Sequence, residues 1–286
     1  MTTVQNPKTR ATDFSGYLCA SDLDGTLITA VGAIMPRRNR EAVARFRAQG
    51  GRFTIASGRS APSIARKMFA LGLEDTPAIA LNGAAVYDCR RHEFLSYHAI
   101  PPEGVALAVA LCHRFPGLQF QVHKAYDTHF WHMRNLSFWG SSADRQTRHH
   151  YKNPEDIAPD GWGKCIFYGA RKVVAELEAY CRALPDAPLT FMNSSRVSLE
   201  ATAPGVDKGS ALLELAEILG IDKAHTAGIG NADNDAGLVQ RAAFSGAAGQ
   251  AREDFRRLAD VTVCDDKHGA VADFLDYFAA RIVADD

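Results

Sequence analysis

The sequence has no stretch of apolar residues long enough to cross a bilayer, and its polar first sixteen residues contain no signal-peptide core. Its charges are balanced, with 32 Lys and Arg against 33 Asp and Glu, which favours neither nucleic acid nor an anionic membrane as a partner. The six cysteines show no paired spacing: Cys19, Cys89, Cys112, Cys165, Cys181 and Cys264. This scatter argues against a disulfide framework and a structural zinc site. We therefore expect a cytoplasmic protein with a short disordered lead-in and no membrane or nucleic-acid partner.

The first 84 residues alternate between strand and helix patterns. Strand-like segments in "YLCAS", "RFTIAS" and "PAIAL" are separated by the helical patterns "PRRNREAVARFRAQ" and "SAPSIARKMFALGL". The same rhythm returns after Pro204, with a helix in "DKGSALLELAEILG" and a strand in "AHTAGIG". This alternation predicts an α/β fold with a doubly wound parallel sheet.

Between these two parts the pattern changes to that of an α+β insert. Hairpins are predicted in "AAVYDCRRHEFLSYHAI" and "LTFMNSSRVSLEAT", and antiparallel strands in "LQFQVHKAYDTHFWH". Residues 140–163 are polar and are predicted to form a long connection. Within it, "TRHHYK" (147–152) is interpreted as an exposed loop, because adjacent histidines rarely converge on one ion without further ligands. The prediction is a discontinuous core, residues 1–84 and 200–286, with an inserted domain at 85–199.

Two carboxylates follow the first predicted strand, at Asp22 and Asp24. Like charges this close repel each other unless a cation neutralises them, and carboxylate oxygens are ligands that suit Mg²⁺. A second acidic cluster, "GNADND", covers residues 230–235. Because ligands of open α/β sheets bind at the carboxyl ends of the strands, Asp22, Ser57, Asn82 and Asn231 are expected to meet at one edge. Taken alone, the Asp-Gly pair is equally typical of a turn.

Further residues have the chemistry of a phosphate site. Ser57 can donate its hydroxyl hydrogen to a phosphoryl oxygen, Gly58 leaves its amide accessible, and Lys208 begins a helix whose N-terminus favours anions. Each of these residues on its own also fits a loop or a solvent-exposed helix end. Their ordered combination with the carboxylates favours a site that handles phosphate.

Four segments, "DLDGT", "TIASGR", "GVDKGSALLELAEILGI" and "GIGNADND", resemble in order the four motifs of the haloacid dehalogenase-like phosphatase superfamily. "ALNGAAVYD" and "VSLEATAPGVDKG" further resemble its Cof-type members, which carry the large cap of subclass IIB between motifs two and three. The resemblance covers about residues 17–280. It implies a Rossmann-like core with an inserted α+β cap. It also implies Mg²⁺-dependent hydrolysis of a small phosphorylated metabolite, such as a sugar phosphate.

Carried over by position, the resemblance makes Asp22 the nucleophile that takes the phosphoryl group and Asp24 the general acid/base. Ser57 and Lys208 complete the catalytic set and hold the phosphate. The expected substrate contacts are Leu23, Ser57, Gly58, Arg59, Asn82, Lys208 and Asn234. The expected positions around the magnesium ion are Asp22, Asp24, Asn231 and Asp235.

The chain departs from the family at Asn231, where the pattern has an aspartate that binds the metal. An amide oxygen can coordinate Mg²⁺, but one negative charge is lost, and Asp233 or Asp235 is the candidate for compensation. Two alternatives to a phosphatase follow: a phosphomutase, or a non-catalytic phosphometabolite-binding protein. The mutase would need cationic groups in the insert, for which Lys124, Arg134 and Lys164 are candidates. Other groups that the insert could add to a pocket are His123, Asp127, His129 and Trp131. A monomer or weak homodimer is expected.

Overall fold

The computed structural model describes residues 13–132 and 147–285. The predicted lead-in up to residue 12, and Arg134 in the insert, lie outside the described residues. No helix within the described ranges combines the length and the apolar character that a bilayer crossing requires.

The central sheet has five parallel strands. Its strands are β1 (Leu18–Ser21), β2 (Arg52–Ile55), β12 (Thr226–Gly230), β13 (Phe244–Ala247) and β14 (Val261–Thr262), in the order β14-β13-β12-β1-β2. This arrangement confirms the predicted parallel α/β sheet. Because neighbouring strands run in the same direction, the segments that follow β1, β2 and β12 lie at one edge of the sheet.

Helices cover both faces of this sheet. They are α1 (Arg37–Ala48), α2 (Ala61–Leu71), α5 (Lys208–Ile218), α6 (Ala236–Arg241), α7 (Glu253–Arg256) and α8 (Ala270–Asp285). Side chains of β1 alternate between the two faces, as the period of a strand requires. Cys19 belongs to the hydrophobic cluster built from α1 and α8, whereas Leu18 and Ala20 pack in the cluster built from α5.

A three-stranded antiparallel sheet extends the core. It consists of β3 (Ala78–Ala80), β4 (Ala85–Asp88) and β5 (Glu93–Tyr97), and a single parallel bridge between Ala56 and Ile79 connects it to β2. The hairpin predicted for this region is confirmed. The expected continuation of the parallel sheet by "PAIAL" is limited to this one bridge, because the turn at 81–83 folds the chain back and pairs β3 with β4.

The insert folds around a six-stranded sheet with the order β10-β11-β9-β6-β7-β8. Its strands are β6 (Gln119–His123), β7 (Asp127–Trp131), β8 (Thr147–Tyr151), β9 (Lys164–Tyr168), β10 (Thr190–Ser195) and β11 (Ser198–Thr202). The helices α3 (Pro102–Arg114) and α4 (Arg171–Arg182) share a hydrophobic cluster with one face of this sheet, which includes Phe120 and Phe167. The other face turns Gln121, His123 and Glu200 towards the core.

The histidine-containing segment "TRHHYK" is not the exposed loop that its polarity suggested. Its residues 147–151 form β8, which pairs in parallel with β7. An edge strand is held by backbone hydrogen bonds, which polar side chains do not prevent.

The strand pairing places both boundaries between core and insert at later residues than the sequence predicted. The division into two domains itself stays a prediction. The β4–β5 hairpin pairs with β3, and its Val86 packs in a core cluster, so residues 85–97 lie with the core. At the other end, Glu200 lies within β11, which pairs with β9 and β10, so the insert continues to Thr202.

Candidate active site

A cleft of about 360 Å³ separates the carboxyl edge of the central sheet from the polar face of the insert's sheet. The core contributes Asp22, Asp24, Ser57, Gly58, Arg59, Asn231 and Asn234. The insert contributes Gln121, His123, Lys164, Tyr168 and Glu200. The expected site residues from the first, second and fourth motifs therefore lie together, because each follows a strand that ends at this edge.

Lys208 lies below the cleft and is completely buried at the first position of α5. Its Nζ donates hydrogen bonds to Asp22 Oδ1 at 2.7 Å and to Asp235 Oδ1 at 2.5 Å. Burial, followed by the nearby carboxylate of Asp235, raises the pKa of Asp22 to about 7, although Lys208 opposes the rise. Burial alone would lower the pKa of Lys208, but the two carboxylates more than offset this and raise it. Lys208 is therefore a fixed positive charge that holds Asp22 in place.

Asp235 is placed differently from the metal-ligand position expected of it. Its Oδ1 accepts from Lys208, and its Oδ2 accepts from the backbone amides of Asn231 at 2.9 Å and Ala232 at 3.1 Å. The side chain has no exposed surface. Asp235 thus supports the loop that carries Asn231 and does not present an open carboxylate to the cleft.

Asp24 is held by Arg59 in a bidentate ion pair. The guanidinium donates from Nε to Oδ2 and from Nη2 to Oδ1, each at 2.9 Å. Arg59 was expected to contact substrate, and it does line the cleft, but here its charge is directed at the second aspartate. The pair fixes the orientation of Asp24, because two parallel hydrogen bonds restrict rotation of the carboxylate.

Gly25 allows the turn after Asp22 and Asp24 to pack closely against Asn231. Its φ is +84°, in the left-handed region that glycine adopts without strain. A Cβ at this position would lie 2.6 Å from Nδ2 of Asn231, so the Asn231 side chain packs directly against the first motif. The Gly25 carbonyl accepts a hydrogen bond of 2.6 Å from Nε2 of Gln250, a residue that the sequence analysis did not identify.

Asp233, the other candidate to replace the missing carboxylate, points away from the cleft. It forms an ion pair of 3.1 Å with Arg252 and lines a neighbouring cavity of about 450 Å³ that shares Asn231 with the cleft, whereas Asp233 does not line the cleft itself. Burial raises the pKa of Asp233. Neither Asp233 nor Asp235 therefore presents an open carboxylate beside Asn231.

The expected phosphate donors lie together at the floor of the cleft. Ser57 is buried, and its Oγ accepts a hydrogen bond of 3.3 Å from the amide of Arg59. The Leu23 side chain is buried in the core cluster, so only its backbone can reach a ligand. Among the described residues, no hydrogen bond occupies the amides of Leu23 and Gly58. These amides are suited to bind phosphoryl oxygens.

Asn82 connects the core to the insert. It is fully buried with φ +56°, and its Nδ2 donates to Glu200 Oε2 at 2.6 Å. The same carboxylate oxygen accepts from Lys164 Nζ at 2.7 Å, and Lys164 also donates to the Gly58 carbonyl at 2.6 Å. Asn234 lies 3.4 Å from Asn82 Oδ1 and reaches the cleft beside it. Sequence analysis missed Glu200, although a lone acid in the apolar strand "SLEAT" was an available signal.

Of the four pocket candidates in the insert, His123 is the one that lines the cleft. Trp131 packs in the hydrophobic cluster under α3 and α4. Thr128 of β7 pairs with His123 of β6, so the two side chains share the face of the sheet that is turned to the cleft. Asp127 and His129 are the neighbours of Thr128 along β7, so their side chains lie on the opposite face.

The two described candidates for a mutase's second phosphate site, Lys124 and Lys164, are already paired, which disfavours such a site at these residues. Lys164 is held by Glu200, and Lys124 lies 3.5 Å from Asp160. The third candidate, Arg134, lies outside the described residues.

The donor atoms at the cleft floor fit a magnesium ion. Asp22 supplies a carboxylate oxygen and Asn231 an amide oxygen, both hard ligands, and Asp24 lines the same cleft with its carboxylate held by Arg59. One buried lysine faces the buried carboxylates of Asp22 and Asp235, which leaves an excess of negative charge. A divalent cation would offset that excess.

Comparison with known proteins agrees with this geometry. Residues 19–275 match the family of haloacid dehalogenase-like hydrolases. The chain is similar to the 5-amino-6-(5-phospho-D-ribitylamino)uracil phosphatase YcsE of Bacillus subtilis, with 24% identity over 85% of this chain and 88% of YcsE. It is also similar to the pyridoxal phosphate phosphatase YbhA of Escherichia coli, with 24% identity over 90% of this chain and 96% of YbhA.

The fold is that of the HAD subclass IIB sugar phosphatase BT4131, whose structure superposes with a TM-score of 0.79. That likeness covers 92% of this chain and 98% of the other at 20% identity, so it includes the inserted cap as well as the core. The family match spans both parts of the discontinuous core and the insert between them. The chain therefore belongs to the haloacid dehalogenase-like hydrolases, as a Cof-type enzyme with a subclass IIB cap.

Proposed function

We propose that this enzyme is a Mg²⁺-dependent phosphomonoesterase that hydrolyses a small phosphorylated metabolite through an aspartyl-phosphate at Asp22. The observation that carries the proposal is the position of Asp22: at the floor of a polar cleft, held at 2.7 Å by the buried Lys208. A carboxylate fixed in this way is a positioned nucleophile. The phosphatases among its relatives support the same reaction class.

The chain's own residues supply the steps of this reaction. A carboxylate oxygen of Asp22 attacks phosphorus, and the bond between phosphorus and the leaving oxygen breaks. Asp24, once protonated and released from Arg59, gives its proton to that leaving oxygen, then takes one from the water that attacks the phosphorus of the aspartyl-phosphate and releases inorganic phosphate. Ser57 and the amides of Leu23 and Gly58 donate hydrogen bonds to the phosphoryl oxygens. When bound, Mg²⁺ supplies positive charge that offsets the phosphate and the aspartates.

The cap side of the cleft supports a small polar substrate. Gln121, His123 and Glu200 present hydrogen-bonding groups there, and Lys164 joins this surface to the core through Gly58. A cleft of about 360 Å³ has room for a phosphate with a group of sugar size attached. Closure over the cleft would keep bulk water from the aspartyl-phosphate.

The test is phosphate release from a panel of phosphorylated metabolites, with and without Mg²⁺, by the wild type and by Asp22→Asn. Substitution of the nucleophile by its isosteric amide keeps the shape and removes the attacking charge. We expect Mg²⁺-dependent release by the wild type and none by Asp22→Asn, which should remain folded. Full activity of Asp22→Asn would overturn the mechanism. Binding of phosphometabolites by the wild type without turnover would favour the non-catalytic alternative, and transfer between positions of one substrate would favour the mutase.

A further inference from the structure

Three potential metal ligands meet on the face of the cap sheet that is turned away from the cleft. β7 and β8 pair in parallel with His129 opposite His149, and Asp127 lies two residues before His129 on the same strand. Residues two apart on a strand share a face, so all three side chains project to the same side. The ligand atoms that they offer lie within 4.8 Å of one another.

His129 is the buried member of this group, and only one of its two ring nitrogens has a hydrogen-bond partner among the described residues. The side chain is about 7% exposed, and its Nδ1 lies 3.1 Å from the Tyr151 hydroxyl. Its Nε2 is also buried and has no hydrogen-bond partner among the described residues. An imidazole fixed through one nitrogen with the other open is the usual arrangement of a metal-binding histidine.

The surroundings suit a cation that enters from solvent. The side chains of His149 and Asp127 are 41% and 42% exposed, so an ion can reach them and the His149 ring has room to turn. The neighbouring Lys124 is held by Asp160, which offsets its charge. Burial lowers the pKa of His129.

We propose that Asp127, His129 through Nε2, and His149 form a binding site for a divalent transition-metal ion, Zn²⁺ in particular, in the cap. Two imidazole nitrogens and one carboxylate are the ligand set that Zn²⁺ accepts, with solvent completing the coordination. Mg²⁺ prefers oxygen ligands, so this site and the catalytic one select different ions. The ion would join the edge strand β8 to β7.

The site is tested on untagged, full-length, metal-stripped protein by titration with Zn²⁺ in the presence of excess Mg²⁺, which competes for the catalytic aspartates. Calorimetry gives the number of ions and the affinity, and Co²⁺ absorption reports the nitrogen ligands. The variants are His149→Ala and, as a second substitution at a half-exposed position, Asp127→Asn. The matched control is His150→Ala, the same substitution on the next residue of β8, whose exposed ring stacks on Phe130 on the opposite face.

We expect the wild type and His150→Ala to bind one Zn²⁺ and to melt at a higher temperature when it is present. In His149→Ala the affinity should fall at least about tenfold and the thermal shift should disappear. An absence of Zn²⁺ binding by the wild type would overturn the proposal, and so would equal affinity in His149→Ala and His150→Ala. None of these measurements uses phosphatase activity, so the result is independent of the proposed reaction.

Discussion

Lys208 donates a hydrogen bond of 2.7 Å to Asp22, although the two residues lie 186 positions apart in the chain. The same ammonium group also binds Asp235, so one buried cation faces two buried carboxylates. Because of this imbalance of charge, the stability of the core should depend on the proposed metal ion and on the charge of Asp22. It can be tested at each of its members.

Replacement of Lys208 by Met should destabilise the protein by about 3–5 kcal/mol, because it leaves two carboxylates buried without their cation. Denaturant unfolding of the metal-free protein gives this free energy. The control is Lys172→Met, which removes an exposed lysine 4.0 Å from Glu176 and should change stability little. Equal effects of the two substitutions would contradict the role given to Lys208.

The pH dependence of stability should report the raised pKa of Asp22. Its folded pKa, about 7, lies above its ordinary value, so Asp22 favours the folded state most at pH values below about 3.8. That contribution is lost as pH rises through 7. Without metal, the unfolding free energy of the wild type should therefore fall between pH 5 and pH 8 relative to that of Asp22→Asn. Parallel pH profiles for the two proteins would refute the assignment.

Asp24→Asn should lower the turnover of alkyl phosphates about 10²–10⁴-fold, the usual contribution of general acid/base catalysis. The loss should be smaller for aryl phosphates, whose leaving groups need no proton. Rates for a series of leaving groups provide the measurement. If good and poor leaving groups lose activity equally, Asp24 serves mainly to hold Arg59.

Asn231→Asp should lower the Mg²⁺ concentration needed for half-maximal phosphatase rate, because it restores a carboxylate beside Asp22 and Asp24. Asp235→Asn should raise that concentration, since it removes a buried charge and weakens the support of the 231 loop. The comparison is a Mg²⁺ titration of each variant.

Asp233→Asn is the control for that titration, because Asp233 pairs with Arg252 outside the cleft, and its midpoint should equal that of the wild type. The opposite pattern would be an unchanged titration midpoint in Asn231→Asp and a raised midpoint in Asp233→Asn. It would mean that the metal is coordinated through Asp233.

Glu200→Gln and Lys164→Met should each destabilise the protein, because each breaks an ion pair of the cap whose side chains are at most 9% exposed. The double variant should lose less than the sum of the two, with a coupling of about 0.5–3 kcal/mol. The measurement is a double-mutant cycle, in which the unfolding free energies of the wild type, the two single variants and the double variant are compared. Strict additivity would show that the pair does not act as a unit.

The positions of the motif residues could be predicted from the sequence because they depend on local patterns. Apolar strands that end in Asp22, Ser57 or Asn231 are recognisable one segment at a time, and parallel strands then place those ends at one edge. The helix that begins at Lys208 was equally clear, with Asp207 accepting hydrogen bonds from the amides of its first turn. Local pattern failed for β8, whose polar residues are ordered by backbone pairing with β7.

The sequence by itself determined the parallel sheet, the order of the motifs and the identity of the two aspartates, since each rests on residue type and short-range spacing. Only the tertiary structure decided how the charges are shared: Arg59 on Asp24, Lys208 between Asp22 and Asp235, and Asp233 turned away with Arg252. It also decided that Glu200 joins the cap to Asn82. Such pairings depend on which side chains meet across distant segments and on how deeply they are buried, and no local pattern records either.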